Sequence, residues 1–209
     1  MFKIQELTHI ILTIILFAFI ISFLSDLNTF LTTLLIAVII LFVNIITKKL
    51  LAHYLDSEIE QKIWHFQRWG WYERSHFKKP IPIGIILPFI LVWVSYPTGF
   101  LKVLTFLQSD VRPTIARIAK RRGLHRCTEM TEWHIAAIAG IGIFANLVLA
   151  IVAYLLNYPI LSKFSIYYAI WNLIPISQLD GTKILFGSKI LWLFLLVLAL
   201  IGLVFTLLA

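Results

Sequence analysis

The sequence predicts an all-α polytopic membrane protein with about five transmembrane helices, a re-entrant hairpin and a small surface β-hairpin. Three observations support this prediction. Of the 209 residues, 60% are hydrophobic, and the mean hydropathy is +0.93, whereas roughly half of the residues of a soluble domain are apolar. Several runs with few or no charges approach the ~20 residues that a membrane-crossing helix needs. The charged residues are concentrated in two segments.

Five apolar runs are the predicted spans of a single integral membrane domain over residues 1–209. The first run lacks a small-residue cleavage site and is followed by further spans, so we interpret it as an anchor and not as a signal peptide. The second to fourth runs are expected to form the core, with the first and last runs peripheral. The five spans are predicted near 9–24, 29–47, 133–157, 160–176 and 184–208.

Two basic segments fall between the predicted spans. Residues 48–80 contain seven Lys or Arg residues against four acids, and residues 108–132 contain six against three. Basic loops remain on the cytoplasmic side, so both loops and the N-terminus are predicted to be cytosolic in a multi-pass protein of the plasma membrane. The net charge of +8 follows from this topology, so we predict no nucleic-acid partner. The single cysteine, Cys127, excludes an internal disulfide and a cysteine-rich metal site.

The segment between the basic loops, 81–107, must leave and return on one side of the membrane. Prolines at 82 and 88 and the stretch "YPTG" interrupt it, and such residues break helices and mark turns. We therefore predict a re-entrant hairpin with its turn at Pro97 to Gly99. The alternative is one kinked span, which would place the two basic loops on opposite sides.

Residues 58–69 show a broken period-two pattern of apolar and charged residues. A short surface β-hairpin and an amphipathic interfacial segment both fit this pattern. The aromatic residues here are expected to form a belt at the headgroup level: Trp64, Trp69, Trp71 and Tyr72.

An aspartate follows the fourth apolar run in the stretch "NLIPISQLDG". Asn172 and Pro175 end the run, and Asp180 and Gly181 come a few residues later. This pattern resembles the third motif of the site-2 protease family of intramembrane zinc metalloproteases, in particular its small archaeal-type members. The resemblance implies a site-2-protease-like core in which Asp180 would be the third zinc ligand and Asn172 and Pro175 would lie in a broken helix near the site.

A second match lies upstream, in "IAGIGIFANLVLAI". Ala139, Gly140, Ala145 and Asn146 are similar to the small-residue helix of this family, although Ile141 replaces its usual proline. Independently of any family, small or polar residues recur every four positions and predict close helix packing within a bilayer. The predicted packing residues are Gly140, Gly142, Asn146 and Ala150. The resemblance covers most of residues 29–209 in the order of the family's motifs.

The first motif of the family, His-Glu-x-x-His, is absent. Two histidines at this spacing share a helix face and bind zinc, and the glutamate activates a water. Alignment of Lys48 and Ala52 with the residues that follow the family motif places it on Val43-Asn44-Ile45-Ile46-Thr47. Valine cannot bind zinc, asparagine is no general base and threonine is a poor ligand. The sequence therefore predicts a degenerate member of the family without catalytic residues.

Other readings of the polar residues stay open. His53 and Asp56 could share a helix face and converge with Asp180 on a metal, or they could be solvated loop residues. Asp180 could be the N-cap of the last helix, or it could pair with Lys183.

Three functions follow from these readings. The first is a pseudoprotease that contacts membrane lipid and binds a membrane helix, a peptide or a partner protein, such as an active protease in regulated intramembrane proteolysis. It requires no cofactor. The second is an active intramembrane metalloprotease with non-standard zinc ligands. The third is a carrier or scaffold in which Asn146, Asn172 and Asp180 line a polar path.

Overall fold

A computed structural model describes residues 4–23, 26–68, 76–95, 104, 107–114 and 130–208. These residues form seven helices and four strands. In chain order the elements are α1 (Ile4–Ile21), α2 (Leu27–Tyr54), β1 (Ser57–Ile63), β2 (Phe66–Arg68), β3 (His76–Ile81), α3 (Ile83–Ser95), β4 (Leu107–Pro113), α4 (Glu132–Leu155), α5 (Pro159–Leu173), α6 (Asp180–Gly187) and α7 (Lys189–Leu208).

Four helices are long and apolar enough to cross a membrane: α1, α2, α4 and residues Lys189–Thr206 of α7. The prediction of a mostly helical chain with several such helices is confirmed. The fifth predicted span is the 15-residue helix α5, which ends at Leu173 because Ile174 takes an extended conformation before Pro175, as residues that precede proline do. Helix α2 runs seven residues past the predicted end at 47 and reaches Tyr54.

Helix α1 belongs to the core, so its predicted peripheral position is wrong. Phe17 and Ile20 of α1 are fully buried in one cluster with Ile40 and Leu41 of α2 and with Tyr168 of α5. The apolar run of α1 could not show this, because a helix that is apolar on all sides can face lipid or protein. Helix α7 is mostly exposed along its span.

The predicted local β-hairpin is wrong, because the partner of β1 is the distant strand β4. The two strands pair antiparallel, with Gln61 opposite Ser109. Ile59 of β1 packs in a cluster with Ala52 of α2 and Ile138 of α4, so the period-two pattern marks a strand buried against helices. Strands β2 and β3 form a second small antiparallel pair.

Trp64 is only 4% exposed and therefore does not belong to the predicted aromatic belt. Trp69, Trp71 and Tyr72 lie outside the described residues, as do Cys127 and the predicted turn at Pro97 to Gly99. The first arm of the predicted re-entrant segment is helix α3, with Pro88 inside it. The start of the predicted loop 108–132 belongs to β4.

Glycines on α4 allow close approach on two sides of that helix. A Cβ atom at Gly142 would lie 2.4 Å from Cε of Lys48 and 2.9 Å from Nδ2 of Asn44, both on α2. A Cβ atom at Gly140 would lie 3.2 Å from Cδ2 of Leu191 on α7. Both glycines therefore allow close helix packing as predicted, Gly142 against α2 and Gly140 against α7.

We expect the substitution Gly142→Ala to lower the free energy of unfolding by about 1–3 kcal/mol, the usual cost of overpacking. Lys48 cannot move aside easily, because it is buried and its ammonium is ion-paired. Gly140→Ala is the matched control: it meets only leucine side chains, and we expect a change below about 1 kcal/mol because alanine also favours helix. Denaturation in mixed micelles measures both, and equal losses would contradict this account of Gly142.

Candidate functional site

Asp180 is the first residue of α6 and is held against the end of α5. The residue before it, Leu179, is the N-cap, and no side chain caps the helix, so the reading of Asp180 as an N-cap is wrong. A Cβ atom at Gly181 would lie 2.4 Å from the carbonyl oxygen of Leu173. Only glycine fits here, which explains why an Asp-Gly pair follows the helix break.

The carboxylate of Asp180 forms an ion pair with Lys48 of α2. The distance from Nζ of Lys48 to Oδ2 of Asp180 is 2.5 Å, and the two side chains are only 3% and 2% exposed. A buried charge is costly unless it is paired and hydrogen-bonded, so each of these groups depends on the other. Lys48 was part of no predicted site, because it directly follows the apolar run 29–47 and was counted with the basic segment 48–80.

Hydrogen bonds extend this ion pair to the strands. Nζ of Lys48 also donates to Oγ of Ser109 on β4 at 3.2 Å, and Oγ of Ser109 donates to Oε1 of Gln61 on β1 at 3.1 Å. Lys183 of α6 donates to the backbone carbonyl of Ser109 and not to Asp180. Burial, the largest effect, lowers the pKa of the Lys183 ammonium, and nearby Asp180 partly opposes this shift.

The positions of the missing first motif lie on two faces of α2. Asn44 is 1% exposed and faces Gly142 together with Lys48. Val43 and Thr47 are half-buried on the adjacent face, and the Thr47 hydroxyl donates to the carbonyl of Val43 at 2.8 Å. Asn44 and Lys48 are therefore the residues of this helix that lie at the site.

The other residues of the resemblance have structural contacts. Asn172 is 2% exposed, and its Nδ2 donates to the carbonyl of Tyr168 in the same helix at 2.8 Å. Pro175 is exposed in the segment between α5 and α6. Asn146 is fully buried, its backbone carbonyl accepts a hydrogen bond from Ser165 at 2.8 Å, and Ala150 is buried on the same face.

Several buried polar atoms have no hydrogen-bond partner within the described part of the chain, and some belong to Asp180 itself or to Asn44, which faces Gly142 beside Lys48. A native interior leaves few such atoms. They include Nδ2 of Asn44, both amide atoms of Asn146, Oδ1 of Asp180 and Oγ1 of Thr182.

The weak metal candidates do not form a ligand set. His53 lies exposed in the last turn of α2, and Asp56 lies in the turn to β1 with a φ of 50°. In the described ranges, no three His, Cys, Asp or Glu side chains group as metal ligands would. The residues present do not fit a zinc ion, because the lysine ammonium takes the place beside Asp180 that a second cation would need.

The ion pair can be measured with a double-mutant cycle. We expect Lys48→Met and Asp180→Asn each to lower the free energy of unfolding by about 3–5 kcal/mol, because each leaves one buried charge unpaired. The double variant should lose much less than the sum, because it leaves neither charge behind.

The control cycle uses Lys62→Met and Asp110→Asn, an ion pair of 2.8 Å whose side chains are 35% and 31% exposed. Here we expect a coupling energy of at most about 1 kcal/mol, as for exposed pairs in general. Denaturation in mixed micelles measures both cycles. Additive losses at Lys48 and Asp180 would contradict the buried pair.

Comparison with known proteins gives no support for or against a family assignment. The chain matches no protein-family model, no curated protein and no solved structure. The resemblance to the site-2 protease family therefore depends on Asn172, Pro175, Asp180, Gly181 and the small-residue helix, and it stays a prediction.

Proposed function

We propose that the chain is a site-2-protease-like integral membrane protein that has no protease activity and binds a membrane helix, an extended peptide or a partner protein. The observation that supports this most directly is the ammonium group of Lys48, 2.5 Å from the carboxylate of Asp180. In the family that the chain resembles, the corresponding aspartate would bind zinc. Here a side chain of the protein itself supplies the positive charge.

The register of α2 supports the same proposal. Asn44 and Lys48 are four residues apart, which is the spacing of two zinc-binding histidines on one helix face, and they face Gly142. If these two residues correspond to the histidines, Ile45 stands in place of the glutamate, and isoleucine cannot activate a water. In both registers the general base and both histidines are missing, so the proposed loss of proteolysis does not depend on the alignment.

A binding role is supported by the polar groups near the ion pair. Asp180 Oδ1, Thr182 Oγ1 and Asn44 Nδ2 are buried and lack partners in the described part of the chain. Residues 175–178 beside them are exposed and lie outside any helix or strand. An extended segment of a partner could pair with the exposed backbone of residues 175–178, as in other modes of peptide recognition.

We further propose a multi-pass arrangement in the plasma membrane with the N-terminus cytosolic. Helices α1 and α2 would cross out and back, which places Lys48 near the cytosolic side with the basic segments, as the positive-inside rule requires. Helices α4 and α5 would repeat this path and bring Asp180 back to the same side. Helix α7 would then leave the C-terminus outside.

Two alternatives have less support. An active metalloprotease would need Asp180 to leave its ion pair and join His53 and Asp56, yet His53 is exposed at the end of α2. A carrier or scaffold is favoured by one observation, the fully buried Asn146 side chain, whose amide atoms lack partners among the described residues.

Metal analysis of the purified protein tests the loss of protease chemistry. We expect zinc far below one equivalent in the wild type and no change in Asp180→Asn, because an ammonium already neutralises this carboxylate. Stoichiometric zinc that is lost in Asp180→Asn would refute the proposal and favour the active metalloprotease.

A positive control uses histidines in the two possible registers. The double variant Asn44→His with Lys48→His removes the ammonium and gives Asp180 two neighbours of zinc-binding type, so it should gain zinc or cobalt that a further Asp180→Asn substitution removes. The matched variant Val43→His with Thr47→His keeps Lys48 and should gain none. If only the variant with Val43→His and Thr47→His bound metal, the alignment of the motif with residues 43–47 would be supported instead.

Site-specific photocrosslinking tests the binding role. A photoreactive residue at Ile176, beside α6, should capture a discrete membrane-protein partner in native membranes, whereas one at Ile201 on the exposed face of α7 should capture mainly lipid. Addition of Asp180→Asn should weaken the capture at Ile176, because it changes the polar site. Equal capture at both positions would contradict a binding site beside the ion pair.

A further inference from the structure

Lys163 places a charge on a helix that packs among membrane-crossing helices. Residues of α5 form one cluster with residues of α4 and α7, and Lys163 is the fifth residue of α5. Its side chain is exposed, as is that of Ile160 on the same helix face, and Tyr167 one turn further along is half-buried. Ionisable residues in membrane helices are rare and almost always face a partner inside the bundle, yet Lys163 faces outward.

The contacts between α5 and α4 give the depth of Lys163. Oγ of Ser165 donates to the backbone carbonyl of Asn146 at 2.8 Å. Asn146 is one helical turn from Gly142, which lies beside Lys48 of α2. At the rise of an α-helix, Lys163 therefore lies about 10 Å from the level of Lys48, toward the C-terminal end of α4.

Helix α2 extends much further in this direction. The helices α2 and α4 run antiparallel, because Ala52 packs with Ile138 near the start of α4, whereas Lys48 lies beside Gly142. From Lys48 back to its first residue, α2 rises about 30 Å, which is about the thickness of the hydrocarbon layer. Lys163 therefore lies well inside this layer, whichever side of the membrane is cytosolic.

The turn between α4 and α5 also has the properties of a segment within hydrocarbon. Its large side chains are mostly apolar and exposed: Leu155 is 73%, Leu156 is 62% and Tyr158 is 65% exposed. The backbone N–H groups of residues 156, 157 and 158 all donate to carbonyls of α4, as a bilayer without water requires. Lipid phosphates should thus lie beyond this turn, and Lys163 is a further helical turn deeper.

No carboxylate in the described part of the chain neutralises Lys163. Its Nζ lies 5.9 Å from the centroid of the Tyr167 ring, and such a cation–π contact stabilises the ammonium without cancelling its charge. The buried carboxylates of the described residues, Glu6 and Asp180, are already paired with other lysines. A second copy of this chain therefore has no free buried carboxylate to offer, and the complementary group must come from another molecule.

From these observations we propose that the face of α5 formed by Ile160, Lys163 and Tyr167 docks a transmembrane helix of another protein that carries an aspartate or glutamate near its centre. Two charges that are each costly in the bilayer would then form one ion pair. Ile160 and Tyr167 would pack against apolar side chains on either side of the carboxylate. This face lies about 15 Å along α5 from Leu173, so docking here does not depend on the binding site proposed beside Asp180.

A synthetic transmembrane helix tests this surface. The probe is a polyleucine helix of about 20 residues, long enough to cross a bilayer, with one central aspartate or, as the control, one central asparagine. Its association with the full-length protein is measured by fluorescence energy transfer in phosphatidylcholine vesicles. We expect the aspartate helix to bind the wild type about tenfold more tightly than the asparagine helix, a difference of about 1.4 kcal/mol.

Three variants assign this preference to Lys163. Lys163→Gln should abolish it, and Lys163→Arg, which keeps the charge, should retain it. Lys189→Gln, which removes an exposed cation at the start of α7, should leave it unchanged. The asparagine helix should bind the wild type and Lys163→Gln equally, which shows that the loss is not a folding defect.

The remaining outcomes would overturn the assignment. Equal binding of the aspartate and asparagine helices, or a preference that persists in Lys163→Gln, would contradict the ion pair. An aspartate moved two turns toward either end of the probe should lose most of the preference, and an unchanged preference would contradict the depth of Lys163. If the wild type instead retains phosphatidylglycerol in native mass spectrometry, loses it in Lys163→Gln and shows no preference for the aspartate helix, Lys163 binds a lipid phosphate and not a helix.

Discussion

The buried ion pair between Lys48 and Asp180 is the interaction that the rest of this structure depends on. It links the last third of α2 to the first turn of α6, and through Ser109 and Gln61 it reaches both strands of the β1–β4 sheet. Two charges removed from water are tolerated only because each is the other's partner. The elements that bring them together are therefore constrained as a group. Gly142 leaves room for the lysine, and the helix break after Leu173 together with Gly181 lets α6 approach the end of α5.

The small sheet is stabilised by side chains at both of its outer edges. Gln61 and Ser109 lie opposite each other, and their outward backbone groups are taken up by helix side chains. Glu6 of α1 accepts the N–H of Gln61, and Lys183 of α6 donates to the carbonyl of Ser109. An exposed strand edge is a site for unwanted pairing, and an unpaired backbone group is costly where water is scarce. Charged side chains of α1 and α6 thus cover the two outer edges of the sheet.

The resemblance to a metalloprotease and the proposed loss of its chemistry both depend on one face of α2. A helix face that carries two residues four apart beside an aspartate has the geometry for a metal, but here those residues are an amide and an ammonium. The lysine satisfies the carboxylate electrostatically and also fills the space against Gly142. Oδ1 of Asp180 and Nδ2 of Asn44 remain buried without partners in the described residues, so the proposed binding role depends on the exposed residues 175–178 beside them.

The sequence by itself determined the apolar helices, the helix break at Pro175 and the importance of Asp180, because these are local properties of hydropathy, backbone restriction and charge. The sequence could not determine the partner of β1, since β4 follows about 44 residues later. A period-two pattern indicates a strand but does not indicate which other strand pairs with it. The sequence also could not place α1 in the core, because an apolar helix is compatible with lipid and with protein on every face. The sequence placed Lys48 among the charges of a basic loop, and only the tertiary structure shows that its side chain is buried. It is buried because α2 continues past its apolar run and because a carboxylate such as Asp180 is stable in the low-dielectric interior only beside a cation.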